Sequence, residues 1–254
     1  MKNPDVDKVV ALVKEQTGYE VSVTPDPSLS TNVAMRSATA QMPGHIVLLN
    51  PKCERFGDFL VALQCAMLLL KWRDRNRIPD FMLIPEKVQY FEAKGSNDVR
   101  KLKLPEQTER QDSSMLVQGL LQQLNSVPCS ILGGEWCYAN CPNLRSEQGL
   151  YMGLELRQNS ASLAPAVKTQ TPRDVFEKSV TMSAAYALWW SDLGGEHLAP
   201  LPYESLGYTK GGRELLALLR AIPSDSTTAY VDAVNAWAGH LQLGPLVEWR
   251  YRRG

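Results

Sequence analysis

The sequence has no net charge: 27 Lys and Arg balance 27 Asp and Glu. A general attraction to nucleic acid or to an anionic membrane surface is therefore not expected. It also has no apolar run long enough to span a bilayer. The longest, around Leu68, is bounded by Asp58 and by "KWRD". The opening "MKNPDVDKVV" carries acids and a proline where a signal peptide needs a basic and then an apolar run, so a cytoplasmic location is expected. Five cysteines, an odd count, suit reduced thiols better than a disulfide framework. His45, His197 and His240, the three histidines, lie far apart in the chain. No G-x-S-x-G elbow exists, which removes the commonest serine-hydrolase arrangement. No P-loop or dinucleotide fingerprint exists either; "TKGGRE" is glycine-rich, but Gly211-Gly212 reads as a turn. Internal repeats and low-complexity tracts are missing.

What is present is an α+β pattern with its strands near the start of the chain. "PDVDKVVALVKEQTGY" is a first amphipathic helix, with Val6, Val9, Val10 and Val13 on one face and Gly18 as its stop. "EVSVTP", "NVAMRSATAQ" and "GHIVLLNP" alternate as strands, and Met42-Pro43-Gly44 supplies a turn between the last two. Sequential strands usually pair, which predicts one small three-stranded sheet. A second helix follows over about Glu54 to Arg73. Acids at its start (Glu54, Asp58) and bases at its end (Lys71, Arg73) suit the helix dipole. Residues 1–78 form the first predicted unit.

Residues 79–112 are polar and broken by Pro79, Pro85 and Pro105, and read as an irregular charged connection with a short helix near Glu86 to Ala93. Residues 113–254 read as a mostly helical half packing on the first unit. Its helices begin at "SSMLVQGLLQQLNSV", within "ILGGEWCYANCPNLRSEQGLYMGLELRQNS" with Pro142 opening a separate one, at "TPRDVF", at "YTKGGRELLALLR" and at "STTAYVDAVNAW". Thr171 and Pro172 provide an N-cap and a first-turn proline for the third of these. "LVEWRYRRG" is a short apolar-basic tail.

The stretch "DFLVALQCAMLLL" (residues 58–70) is the most informative. Eleven of its thirteen residues are apolar, and Gln64 is the one polar side chain after Phe59. A helix apolar all round is buried on more than one side. The order helix, three strands ending in "HIVLLNP", then "FGDFLVALQCAMLLL" resembles the small ImmA/IrrE-type metallopeptidases, a minimal gluzincin fold, over roughly residues 1 to 75. That family's helix typically reads V-A-H-E-x-G-H, which places two imidazoles and a carboxylate around one zinc. Against "VALQCAM", Val61 and Ala62 match. Leu63 falls at the first His, Gln64 at the Glu, Ala66 at the Gly and Met67 at the second His. Leu offers zinc no ligand atom, Gln takes up no proton at neutral pH, and a Met thioether is too soft for hydrolytic zinc. The resemblance thus implies a fold without its metal: a pseudoenzyme, needing no cofactor, in a bacterial or phage setting of regulation, toxin–antitoxin or phage defence. Leu63 and Met67 are expected to be core packing. Gln64 has two open placements, against a backbone carbonyl of the sheet edge or facing a residual cleft with His45 and Asp58.

Cys129, Cys137 and Cys141 lie within thirteen residues, with no nearby His and no C-x2-C knuckle, so packing is expected rather than a metal site. Cys65, inside the apolar helix, is a poor nucleophile because burial raises a thiol's pKa. "AYALWWSD" puts Tyr186, Trp189 and Trp190 on one helix. These aromatics are core at helical spacing or anchors of a protein interface. The tail residues Trp249, Arg250 and Tyr251 fit the interface reading, with a nucleic-acid backbone as the lesser alternative. The expected function is protein binding without catalysis. The rivals are an enzyme whose site is assembled from distant residues, with His197 and the acids of Glu86 to Asp112 as sources, and a structural subunit of a larger complex.

Overall fold

Asn3 starts the first helix, α1 (Pro4–Thr17), by accepting a hydrogen bond from the Asp5 backbone N–H, with Pro4 in the first turn. Gly18 ends it at φ +82°, where its N–H reaches the Lys14 carbonyl. The computed structural model describes residues 3–99 and 106–253. Strands β1 (Val21–Pro25), β2 (Val33–Arg36) and β3 (His45–Leu49) form one sheet in the order β1-β3-β2. β3 runs parallel to β1, pairing His45 with Val21, and antiparallel to β2, pairing Leu49 with Val33. Sequential pairing therefore holds for β2 and β3 only. β3 takes the centre because it is the most apolar: Val47 and Leu48 are buried, whereas β1 is largely exposed.

A 3-10 segment (Pro51–Phe56) leads into α2 (Gly57–Lys71), whose buried residues lie on all sides. Then come β4 (Ile78–Leu83) and α3 (Pro85–Val99). The helical half consists of α4 (Glu106–Asn140), α5 (Arg145–Ala161), α6 (Pro165–Gln170), α7 (Arg173–Asp192), α8 (Leu201–Ser205), α9 (Thr209–Arg220) and α10 (Ala229–His240). The last strand is β5 (Val247–Arg252). The architecture is the expected α+β one, a small N-terminal sheet followed by a mostly helical half.

Three local expectations are corrected. The connection over 79–112 is more regular than expected where described: the expected short helix is present as α3, but β4 precedes it and α4 begins at Glu106, while residues 100–105 lie outside the described residues. β4 exists because the tail pairs with it antiparallel, Ile78 opposite Arg252 and Leu83 opposite Val247. Pro79 is tolerated because a two-stranded sheet has only edge strands. Second, the helix expected over "SSMLVQGLLQQLNSV" and the one expected within "ILGGEWCYAN" are one helix, and α4 runs through Pro128. An internal proline costs a helix about 3 kcal/mol. Burial of Leu120, Leu121, Leu124, Cys129 and Ile131 on the same helix offsets it, with α4 packed on α2, α3, α7 and α10. Third, Gly211-Gly212 is not a turn but lies inside α9. A Cβ on Gly212 would sit 2.9 Å from the backbone nitrogen of Ala185. Glycine there lets α9 lie directly on α7.

Candidate functional site: a polar cavity beside Gln64

A cavity of about 740 Å³ opens between the N-terminal unit and the helical half. Its walls come from α2, the segment before β2, α4, α5 and the α6–α7 region, and its volume suits a small ligand or a short peptide segment. The wall is mostly uncharged and hydrogen-bonding. Gln64, Gln122, Gln158 and Asn159 line it, and none makes a side-chain hydrogen bond to another described residue. Gln123 differs: its Nε2 donates to the Ser179 carbonyl (3.1 Å) and Ser183 Oγ (3.1 Å), and its Oε1 accepts from Ser179 Oγ (2.8 Å). These bonds tie α4 to α7 across one side of the cavity.

Glu155 is the one carboxylate among the described lining residues. Its Oε1 accepts from Asn32 Nδ2 (2.8 Å) and from the Tyr151 hydroxyl (2.9 Å). Asn32 is itself fixed, accepting at Oδ1 from the Cys53 thiol (3.1 Å). Tyr151 is held by ring contacts with Phe56 (5.8 Å between centroids) and Phe59 (5.7 Å). Burial raises the Glu155 carboxyl above the usual range, and the hydrogen bonds from Tyr151 and Asn32 pull the other way. Tyr151 and Glu155 stand four apart on α5, so that half of the cluster was legible as a helix-face pair. Asn32 joins them only through the fold.

Of the residues singled out from the sequence, Leu63 and Gln64 line the cavity. Gln64 faces the cavity rather than a backbone carbonyl. Met67 lies behind it, its sulfur accepting from Ser130 Oγ (3.7 Å), and both Leu63 and Met67 press on Gly133 of α4. Leu63 and Met67 thus serve as packing against another helix. No group of three or more His, Cys, Asp or Glu suited to a metal ion occurs among the described residues.

His45 does not belong to this site. It is fully buried at the start of β3, where Nδ1 accepts from the Ala38 backbone N–H (3.0 Å) and Nε2 meets the Thr17 hydroxyl (3.0 Å). Tyr19 and Trp72 close on it edge-on, with ring centroids 5.7 and 5.1 Å away. Burial first, and the Arg252 charge second, push its pKa down to about 4. Asp58, in the first turn of α2, does not line the cavity either, so the expected cleft of His45, Asp58 and Gln64 reduces to Gln64.

Trp189 and Trp190 are 2% and 6% exposed, too buried to anchor a partner on this surface. Trp189 packs on Gly134, where a Cβ would lie 2.6 Å from the ring, and Trp190 packs against Gly195. The tail residues differ in burial. Trp249 is half-buried between Phe81 and Tyr230 and donates to Asn235 Oδ1 (2.8 Å). Arg250 is exposed beside Glu248 (3.2 Å), and Tyr251 is exposed under the Arg77 guanidinium (4.5 Å). Arg252 is internal to the fold, bonded to the Ala38 carbonyl (2.9 Å) and to Asp80 (3.2 Å).

All five cysteines are free and buried. Burial pushes the Cys65 thiol up to about 12, and Cys137 bonds to Cys141 beside it. His197 is exposed, and His240 faces Glu214 at 3.4 Å; neither lines the cavity. No helix among the described residues is long and apolar enough to cross a membrane. Comparison of the chain with protein-family models, with curated proteins and with solved structures finds no match.

Proposed function

We propose that this chain is a catalytically silent, metallopeptidase-like binding protein that takes a polar segment of a protein partner into the cavity beside Gln64. The observation that carries the reading is the wall itself. Four uncommitted carboxamides face one space of about 740 Å³, and each offers both donors and an acceptor. Such a wall is suited to holding amide and hydroxyl groups. It is poorly suited to hydrolysis, since the three helix positions that would supply a zinc site are Leu63, Gln64 and Met67. In the bacterial or phage setting that the family resemblance implies, such a binder serves in regulation, defence or a toxin–antitoxin pair.

Gly119 gives a direct test. It lines the cavity, and a Cβ there meets nothing within 4 Å. Gly119→Trp therefore fills the cavity without disturbing the helix. A protein recovered with the wild-type chain from its native source and lost with Gly119→Trp supports the reading. The same proteins recovered with both, or one zinc per purified chain, overturns it.

A further inference from the structure

We propose that the cavity receives an organic cation, an ammonium or guanidinium group, against the carboxylate of Glu155. The inference rests on the cavity being a binding site and adds the chemistry of what enters it. Glu155 is largely buried, and only its Oε1 is committed, to Asn32 (2.8 Å) and Tyr151 (2.9 Å). Its Oε2 has no hydrogen-bond partner among the described residues, and no described Lys, Arg or His lines the cavity or pairs with it.

A carboxylate taken out of water without a counter-charge is an unfavourable arrangement that protein interiors ordinarily relieve by pairing. The same chain does so elsewhere: Asp80, more exposed than Glu155, is flanked by both Lys71 (2.9 Å) and Arg252 (3.2 Å). Glu155 is held in place by neutral donors only. Those donors fix one oxygen and aim the carboxyl without neutralising it, and they leave room for a cation at the other oxygen. Tyr151, Phe176 and Tyr186 add aromatic rings to the same wall, surfaces that attract a cation and not an anion. A phosphate or carboxylate ligand finds no counter-charge among the described residues of the wall. Gln64 and Gln158 then meet the uncharged remainder of the ligand.

The test uses three probes at low ionic strength: the peptide acetyl-Ala-Lys-Ala-amide, the same peptide with norleucine for lysine, and n-butylammonium. Binding is measured by titration calorimetry on the full chain and on Glu155→Gln and Gly119→Trp. Glu155→Gln keeps the oxygen that accepts from Asn32 and Tyr151, and an unchanged melting curve checks that it folds. The lysine peptide is expected to bind wild type about tenfold tighter than the norleucine peptide, the worth of one charge-assisted hydrogen bond. That preference disappears in Glu155→Gln. Displacement of the peptide by n-butylammonium supports the cation assignment with any organic ammonium as source; binding of the lysine peptide alone supports it with a chain-borne lysine as source. Equal binding of both peptides, abolished by Gly119→Trp, overturns the cation and leaves the cavity reading standing. Binding that survives Gly119→Trp overturns the cavity reading. No binding of any probe at millimolar concentration overturns the cation assignment.

Discussion

Met67 and Gly133 interlock: a Cβ on Gly133 would lie 3.0 Å from Met67 Cγ and 3.3 Å from a Leu63 methyl. This contact lets α4 close onto α2 at Leu63 and Met67. It makes glycine a packing requirement in the middle of a 35-residue helix. Gly133→Ala adds about 1 kcal/mol of helix propensity but overpacks the contact, which costs about 1–3 kcal/mol. A net loss of stability is expected. Gly119→Ala, on the same helix with open space around it, is expected to gain about 0.5–1 kcal/mol. Urea denaturation of the two variants gives shifts of opposite sign; equal shifts would show that the contact with α2 carries no weight.

His45 makes the fold sensitive to acid. Its folded pKa, about 4, lies below the unfolded value of 6.5 because the ring is buried and the Arg252 charge is near it. The unfolded chain therefore binds the proton first, and stability falls as pH drops from about 6.5 toward 4. The loss is on the order of 3 kcal/mol. Urea midpoints measured across that range should fall steeply for wild type and more shallowly for His45→Gln. A parallel decline in both would assign the acid sensitivity to other groups.

Gln64 and Gln123 line one cavity and answer different demands. Gln123 bonds Ser179 and Ser183 at 2.8–3.1 Å, so Gln123→Leu strands those partners and is expected to cost about 1–3 kcal/mol. Gln64 makes no such bond, so Gln64→Leu should leave stability unchanged within about 0.5 kcal/mol. Its effect should appear in ligand binding instead. Thermal melts of the two variants separate the roles.

The clasp between β4 and β5 concentrates its energy on one face. Trp249→Ala removes the ring held by Phe81, Tyr230 and Asn235 and is expected to cost about 2–4 kcal/mol. Arg250→Ala, on the exposed face, should stay within about 0.5 kcal/mol. Similar losses for both would show that the ring contacts of Trp249 carry no special weight.

The sequence determined the class of architecture and the character of its central helix. Apolar periodicity marks α1 and α2, strand alternation marks β1 and β3, and the count of helix formers after residue 113 marks a helical half. All of these signals are local, since burial pattern and chain period are read within a dozen residues. Likewise Leu63, Gln64 and Met67 by themselves argue against a zinc site on α2, because side-chain chemistry needs no fold to be known. The tertiary structure decided everything that depends on which segments meet. β4 is a strand only because residues 247–252 return to pair with it, and position 212 needs glycine only because α9 lies directly on Ala185 of α7. The same meeting buries Trp189 and Trp190, withdraws His45 from the cleft, and turns Gln64 toward an open cavity. It also brings Asn32 to Glu155, 123 residues away, to form a hydrogen-bonded cluster that no local pattern announces.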